Sequence, residues 1–174
     1  MDYQPSPLNT SSAMPDMHGV SAESEFRLPQ RLDIFNYFQG KTLAYGIFED
    51  RFGKLRRSFK VYIQGDIDGQ KLRLTEDFQY DDGEKSQRVW LITDQGDCVY
   101  SGEAEDILGA ASGLQESHYL YWRYSMNLEI QGRAWKVQFD DRMYLLNEKV
   151  MVNRARVSKW GLTLGTVSIF FSKQ

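Results

Sequence analysis

Apolar and polar residues alternate with a period of two along most of this sequence after Gly40. That period is typical of β-strands that bury one face against a core. Five segments show it most clearly. Their apolar positions are Leu43, Tyr45 and Ile47; Phe59, Val61 and Ile63; Leu72, Leu74 and Phe78; Leu120, Trp122, Tyr124, Met126 and Leu128; and Trp135, Val137 and Phe139. The pattern predicts an all-β domain.

Short turn signals separate the strands, and they indicate how the strands are connected. They are Phe52–Gly53, Asp68–Gly69, Asp82–Gly83, Gln95–Gly96 and Gln131–Gly132. Asp-Gly favours a two-residue hairpin turn because both central residues need a positive φ. Turns this short leave no room for crossover helices, so successive strands must pair antiparallel. We expect about nine or ten strands in an up-and-down meander, closed into a barrel because closure removes exposed edges.

The first forty residues do not follow this pattern. Residues 1–30 are rich in Pro, Ser, Asn and Asp and show no period, so we interpret them as a flexible leader preceding one domain over 31–174. Leu32, Phe35 and Phe38 then share a helical face, and a glycine follows. This arrangement predicts a short N-terminal helix.

The segment Glu103–Glu116 is ambiguous because it mixes Gly, Ala and Ser with only a few large apolar residues. It could form a short helix. A strand with small residues fits a barrel better, since glycines in strands mark bends or the close approach of another group.

Composition and motifs exclude several classes of function. The formal net charge of −3 argues against a dedicated nucleic-acid binder, which usually carries a basic surface. Cys98 is the only cysteine, so neither an intramolecular disulfide nor a cysteine-rich zinc site can form. His18 and His118 have no accompanying nucleophile, phosphate-binding or dinucleotide motif. The sequence therefore indicates no catalytic residue, cofactor or metal, although the acids around Asp82 leave calcium as a weak alternative.

Charged residues in phase with apolar ones are the best candidates for a binding site. Glu76 is in phase with Leu74, Arg88 with Trp90, and Arg154 with neighbouring valines. Burying a lone charge is costly, so these groups should pair with one another or lie at a barrel mouth. They could hold the polar head of a ligand whose tail fills the barrel, or form a structural ion pair with an Arg stacked on a Trp. The candidate ligand-binding residues are Glu76, Arg88, Trp90, Trp122, Tyr124 and Arg154.

From Leu32 onward the chain resembles a bacterial family, domain of unknown function 3833. The resemblance rests on the phrases LDIFNYFQGKTLAYGIFEDRFGKLRRSFKVYIQG, LTEDFQYDDGEKSQRVW, LYWRYSMNL and VQFDDRMYLLNEKVMVNRARVSKWGLTLGTVSIFF. It implies a lipocalin- or calycin-like barrel in an envelope lipoprotein of the periplasm or outer membrane. A lipoprotein signal is then expected to have preceded the residue given as Met1, the alternative being a cytoplasmic protein. The resemblance implies no catalytic residue.

Three hypotheses follow from these observations. The favoured one is a barrel that binds a lipid, a fatty acyl group or another apolar small molecule, which requires a cavity of several hundred Å³. The second is a structural or interaction protein with a filled barrel and an exposed apolar patch. The third is an enzyme or accessory of lipid modification, which requires a carboxyl group of raised pKa in a pocket. The sequence does not indicate an oligomeric state.

Overall fold

The computed structural model describes residues 31–130 and 133–174. The predicted leader at residues 1–30 and the turn at Gln131–Gly132 lie outside the described residues. The elements are α1 (Ile34–Phe38), β1 (Gly40–Asp50), β2 (Leu55–Asp68), β3 (Lys71–Tyr80), β4 (Lys85–Gly96), β5 (Val99–Glu103), β6 (Ala111–Glu116), β7 (Tyr119–Ile130), β8 (Arg133–Leu145), β9 (Val150–Lys159) and β10 (Leu162–Lys173).

The ten strands form one closed barrel. Each strand pairs antiparallel with its sequence neighbour, and β10 pairs with β1. Tight turns such as those at Gly69 (φ 57°) and Gly83 (φ 88°) set this order because they allow the chain only to double back. The predicted all-β, up-and-down barrel with a short N-terminal helix is therefore confirmed. No described helix has the length and apolar character needed to cross a membrane.

Apart from Glu103, which ends β5, the ambiguous segment forms a strand only in its second half, as β6. Residues 104–110 connect β5 to β6, and Ile107 makes an isolated bridge to Met126 of β7. The small residues make room for Trp122: a Cβ added at Gly113 would lie 2.6 Å from its ring, and one at Gly102 would lie 2.4 Å away. The glycines thus mark a close approach, as the sequence suggested.

Helix α1 closes one end of the barrel. Asp33 caps its N-terminus by accepting a hydrogen bond from the Asn36 N–H at 3.1 Å. At its other end the Lys173 ammonium donates to the carbonyls of Tyr37 (2.9 Å) and Gln39 (3.2 Å), a favourable position for a cation. Three side chains of the helix are buried against the barrel: Ile34, Tyr37 and Phe38. The opposite end of the barrel carries the β1–β2, β3–β4 and β9–β10 turns.

Two strands face the core with the opposite phase from the one expected. In β1 the buried residues are Thr42, Ala44 and Gly46, so Tyr45 points outward. Gly46 is required because a Cβ there would lie 2.3 Å from the Phe59 ring, which fills that part of the interior. Small residues on the inner face therefore made it look less apolar than the outer face.

In β9 the same error affects a candidate residue. The inner face carries Met151, Asn153, Ala155 and Val157, all buried. Arg154 is exposed on the outer wall, and its expected inward orientation is wrong.

Candidate functional site

A cavity of about 220 Å³ lies inside the barrel. Most of its walls are apolar or aromatic side chains from the strands and from α1. Three acidic or basic side chains and one amide interrupt this lining: Glu76 of β3, Arg88 of β4, Asp141 of β8 and Asn153 of β9. A mainly apolar pocket with a few converging polar groups is the usual form of a small-molecule site.

Arg88 carries the positive charge of this cluster, and its principal partner was not predicted. Glu76 and Arg88 are direct cross-strand partners in register, and their charges interact. The ion pair itself, however, joins Arg88 to Asp106 of the β5–β6 connection. Arg88 Nε lies 2.9 Å and Nη2 2.6 Å from Asp106 Oδ2. Most of the hydrogen-bonding capacity of the guanidinium on that side is therefore already used.

The guanidinium of Arg88 also lies near aromatic rings. Its Cζ is 5.8 Å from the centroid of the Trp90 ring and 5.9 Å from that of Phe78. Both distances are within the range of a cation–π interaction. The contact of Arg88 with Trp90 that the structural interpretation predicted is therefore present, and the same Arg88 lines the cavity.

Three aromatic candidates come together at the wall of the cavity. Trp90 contacts Trp122 edge to face, with ring centroids 5.8 Å apart, and Tyr124 in the same manner at 5.3 Å. Tyr124 in turn stacks on Phe139 at 4.9 Å. Close aromatic pairs of this kind hold one another in fixed orientations. They provide a rigid wall for an apolar ligand.

Glu76 and Asp141 are held in an environment that disfavours their charged forms. Burial raises the pKa of Glu76 to about 7, with Arg88 opposing the shift and Asp106 adding to it. Burial likewise raises the pKa of Asp141 to about 7, opposed by a hydrogen bond from Asn153 and by the Arg88 charge. Both carboxyl groups therefore change protonation near neutral pH. This meets the requirement of the enzymatic hypothesis without identifying a reaction.

Asp141 and Asn153 form the most deeply buried hydrogen-bonded polar pair among the described residues. Asp141 is 5% exposed and Asn153 is 3% exposed. The Asn153 Nδ2 donates to Asp141 Oδ2 at 3.2 Å. The remaining oxygens, Asp141 Oδ1 and Asn153 Oδ1, are buried and accept no hydrogen bond from any described residue. Burial and the Asp141 charge also raise the pKa of Tyr124 well above its ordinary value, so the phenol stays protonated.

The structure thus brings together five of the six predicted residues and separates one. Glu76, Arg88, Trp90, Trp122 and Tyr124 line the cavity, whereas Arg154 faces solvent.

Three polar residues of the site were missed: Asp106, Asp141 and Asn153. Asp141 had a usable signal because it continues the alternation of Val137 and Phe139. Its neighbour Asp140 points to the outer wall, where it pairs with the exposed Arg123 at 2.6 Å. Asp106 had no signal, since its segment shows no period.

The sequence matches the family described as "Protein of unknown function (DUF3833)" over residues 17–173. The chain belongs to this family, as its sequence phrases suggested. No curated protein is significantly similar to it.

Two solved structures share the fold at low sequence identity. One is a protein of unknown function of the DUF3598 family from Nostoc punctiforme, with 12% identity and a TM-score of 0.59 over 84% of this chain. The chain spans about half, 51%, of that protein. The other is an S-type phycobiliprotein lyase from Guillardia theta, with 10% identity and a TM-score of 0.59 over 80% of this chain and 90% of the lyase. At these identities the likeness concerns the fold alone.

Proposed function

We propose that this protein binds a small, mainly apolar molecule, of the lipid type, inside its barrel. The single observation that supports the proposal is the 220 Å³ cavity, whose apolar lining is interrupted by a few converging polar groups. A barrel filled by its own side chains would leave no such space. The fold shared with the phycobiliprotein lyase is compatible with a binding role for the barrel.

The cavity of about 220 Å³ is smaller than the several hundred Å³ that the sequence hypothesis required, and its size limits the ligand. An engineered apolar cavity of about 150 Å³ holds benzene. By proportion, 220 Å³ accommodates a ring or chain segment of about nine non-hydrogen atoms. We therefore propose a short chain, or the end of a longer one, as the occupant. A place in the bacterial envelope, with a lipid anchor, is part of the same proposal and rests on the family resemblance.

Native mass spectrometry of the protein purified from a bacterial host is the first test, followed by titration with 1-octanol. Trp90 and Trp122 line the cavity, so their fluorescence should change saturably as the probe enters. Val167→Phe adds bulk to the cavity lining and should abolish the response. Val152→Phe makes the same change on the outer face of β9 and should leave it intact.

A co-purifying apolar molecule, or saturable uptake that only Val167→Phe removes, is the expected result. If neither a co-purifying molecule nor uptake of any apolar probe is seen, the proposal is wrong. A response equal in both variants would also contradict it, because the probe would then bind outside the barrel.

A second candidate function, contact with a lipid surface, is supported by the turns at the end opposite α1. Phe52 of the β1–β2 turn is 79% exposed, and Trp160 of the β9–β10 turn is 89% exposed. These turns are neighbours, since the Arg51 N–H donates to the Leu164 carbonyl at 2.9 Å. Arg51 lies over the Phe52 ring, and Lys159 lies 4.5 Å from the Trp160 ring centroid. Aromatic residues beside cations suit the interface of an anionic bilayer.

Sedimentation with vesicles tests this second candidate. The protein should bind phosphatidylglycerol vesicles more strongly than phosphatidylcholine vesicles. The double variant Phe52→Ser, Trp160→Ser should lose binding. The control Tyr45→Ser, Phe170→Ser removes two exposed aromatics from the barrel wall and should retain it. Equal binding by both variants would exclude the turns as the contact.

A further inference from the structure

The polar groups of the cavity restrict the chemistry of the ligand, on the premise that the barrel binds one. Three carboxyl groups, Glu76, Asp106 and Asp141, surround the single guanidinium of Arg88. The Asp106 carboxylate already accepts hydrogen bonds from both Nε and Nη2 of that guanidinium. Of these carboxyl groups, Glu76 and Asp141 line the cavity with Arg88, so the described lining carries an excess of acidic groups.

We infer that the polar group of the ligand is a hydrogen-bond donor, an ammonium or a hydroxyl, and that it binds at the Asp141–Asn153 pair. This inference rests on the proposed binding function and specifies the class of ligand. It differs from the expectation that Arg88 grips a carboxylate or phosphate. The anion that pairs with Arg88 is a residue of the protein itself, Asp106.

The geometry of the pair favours a donor. Asp141 and Asn153 lie on adjacent strands, line the cavity and are more than nine-tenths buried. Each has one buried oxygen that accepts no hydrogen bond from the described residues. Buried polar atoms are almost always paired, so two such oxygens beside one cavity indicate a donor from outside the protein. An ammonium can donate to both oxygens, whereas a hydroxyl donates to one.

The same geometry disfavours a carboxylate. A carboxylate has no hydrogen to give to either oxygen. It would also lie close to Asp141 and Glu76, and like charges in a site of low polarity repel strongly. Arg88 is the only described cation that lines the cavity, and its charge is already balanced by Asp106.

Titration with three probes of equal chain length separates the alternatives: octylamine, 1-octanol and octanoate, followed by tryptophan fluorescence at pH 8. We expect octylamine to bind at least tenfold more tightly than octanoate, with 1-octanol between them. Asp141→Asn should reduce the preference for octylamine over 1-octanol severalfold while 1-octanol still binds. Asn153→Ala should weaken the binding of octylamine, which checks the role of Asn153 Oδ1 independently.

Asp77→Asn is the matched control, since Asp77 is adjacent to Glu76 in sequence but exposed on the outer face. It should change none of the three affinities. Octanoate binding as tightly as octylamine, or a preference unaffected by Asp141→Asn, would overturn the inference while leaving the binding function standing. Failure of all three probes to bind would overturn both.

Discussion

Asp141→Asn should make the folded protein more stable at alkaline pH, although it removes a charged residue from the site. In the folded barrel, burial raises the pKa of Asp141 from 3.8 to about 7. The folded state therefore holds a proton that the unfolded state releases between about pH 4 and 7. Because the folded state binds more protons in that window, the free energy of unfolding must fall as the pH rises through it. Above pH 7 the loss is complete.

The size of the effect follows from the two pKa values. Each tenfold change in proton affinity corresponds to about 1.4 kcal/mol. Raising the pKa from 3.8 to about 7 therefore costs the wild type about 4 kcal/mol of stability at pH 8. Asparagine has nearly the same shape, does not ionise, and can still accept the hydrogen bond from Asn153. The variant should thus be nearly as stable as the wild type at pH 4 and about 4 kcal/mol more stable at pH 8.

Urea unfolding at a series of pH values from 4 to 9, followed by tryptophan fluorescence, measures the difference directly. Glu76, Arg88 and Tyr124 line the same cavity, Asp106 pairs with Arg88, and all four residues are present in both proteins. The exposed control Asp77→Asn should differ from the wild type by no more than about 0.5 kcal/mol at each pH. A difference that does not depend on pH, or a wild type more stable than the variant at pH 8, would refute the reasoning.

Three further substitutions test the packing around the cavity by urea unfolding at pH 7. Arg88→Met should lower the free energy of unfolding by about 2 kcal/mol because it leaves buried carboxyl groups without their cation. The control Arg154→Met on the outer wall should change it by no more than about 0.5 kcal/mol. Equal effects of the two substitutions would contradict the assigned orientations. Gly113→Ala should cost about 1–3 kcal/mol because its Cβ would lie 2.6 Å from Trp122; a neutral result would mean that the ring moves freely. Lys173→Met should cost about 1 kcal/mol and speed hydrogen exchange in α1, since the carbonyls at its C-terminus lose their donor; unchanged exchange would show that packing alone holds the helix.

Part of the candidate site was readable from the chain because strand alternation carries over directly into three dimensions. Glu76 and Arg88 lie inside because each shares the phase of large apolar neighbours in its own strand. Asp141 obeys the same rule, since it continues the alternation of Val137 and Phe139, but it was not among the predicted site residues. Arg154 was placed inside wrongly, because the inner residues of β9 include Asn153 and Ala155, whereas Val150 and Val152 lie outside.

The sequence by itself determined the antiparallel barrel. Hairpin turns and a period of two are local properties, and a meander of about ten strands has few ways to cover its edges other than closure. Only the tertiary structure decided the inner face of β1, the Arg88–Asp106 pair and the unpaired oxygens beside the cavity. Each of these depends on which side chains from distant strands compete for the same volume. The Phe59 ring occupies the space that a side chain at Gly46 would need, so a glycine lies on the inner face there. Asp106 reaches Arg88 from a segment whose sequence shows no period.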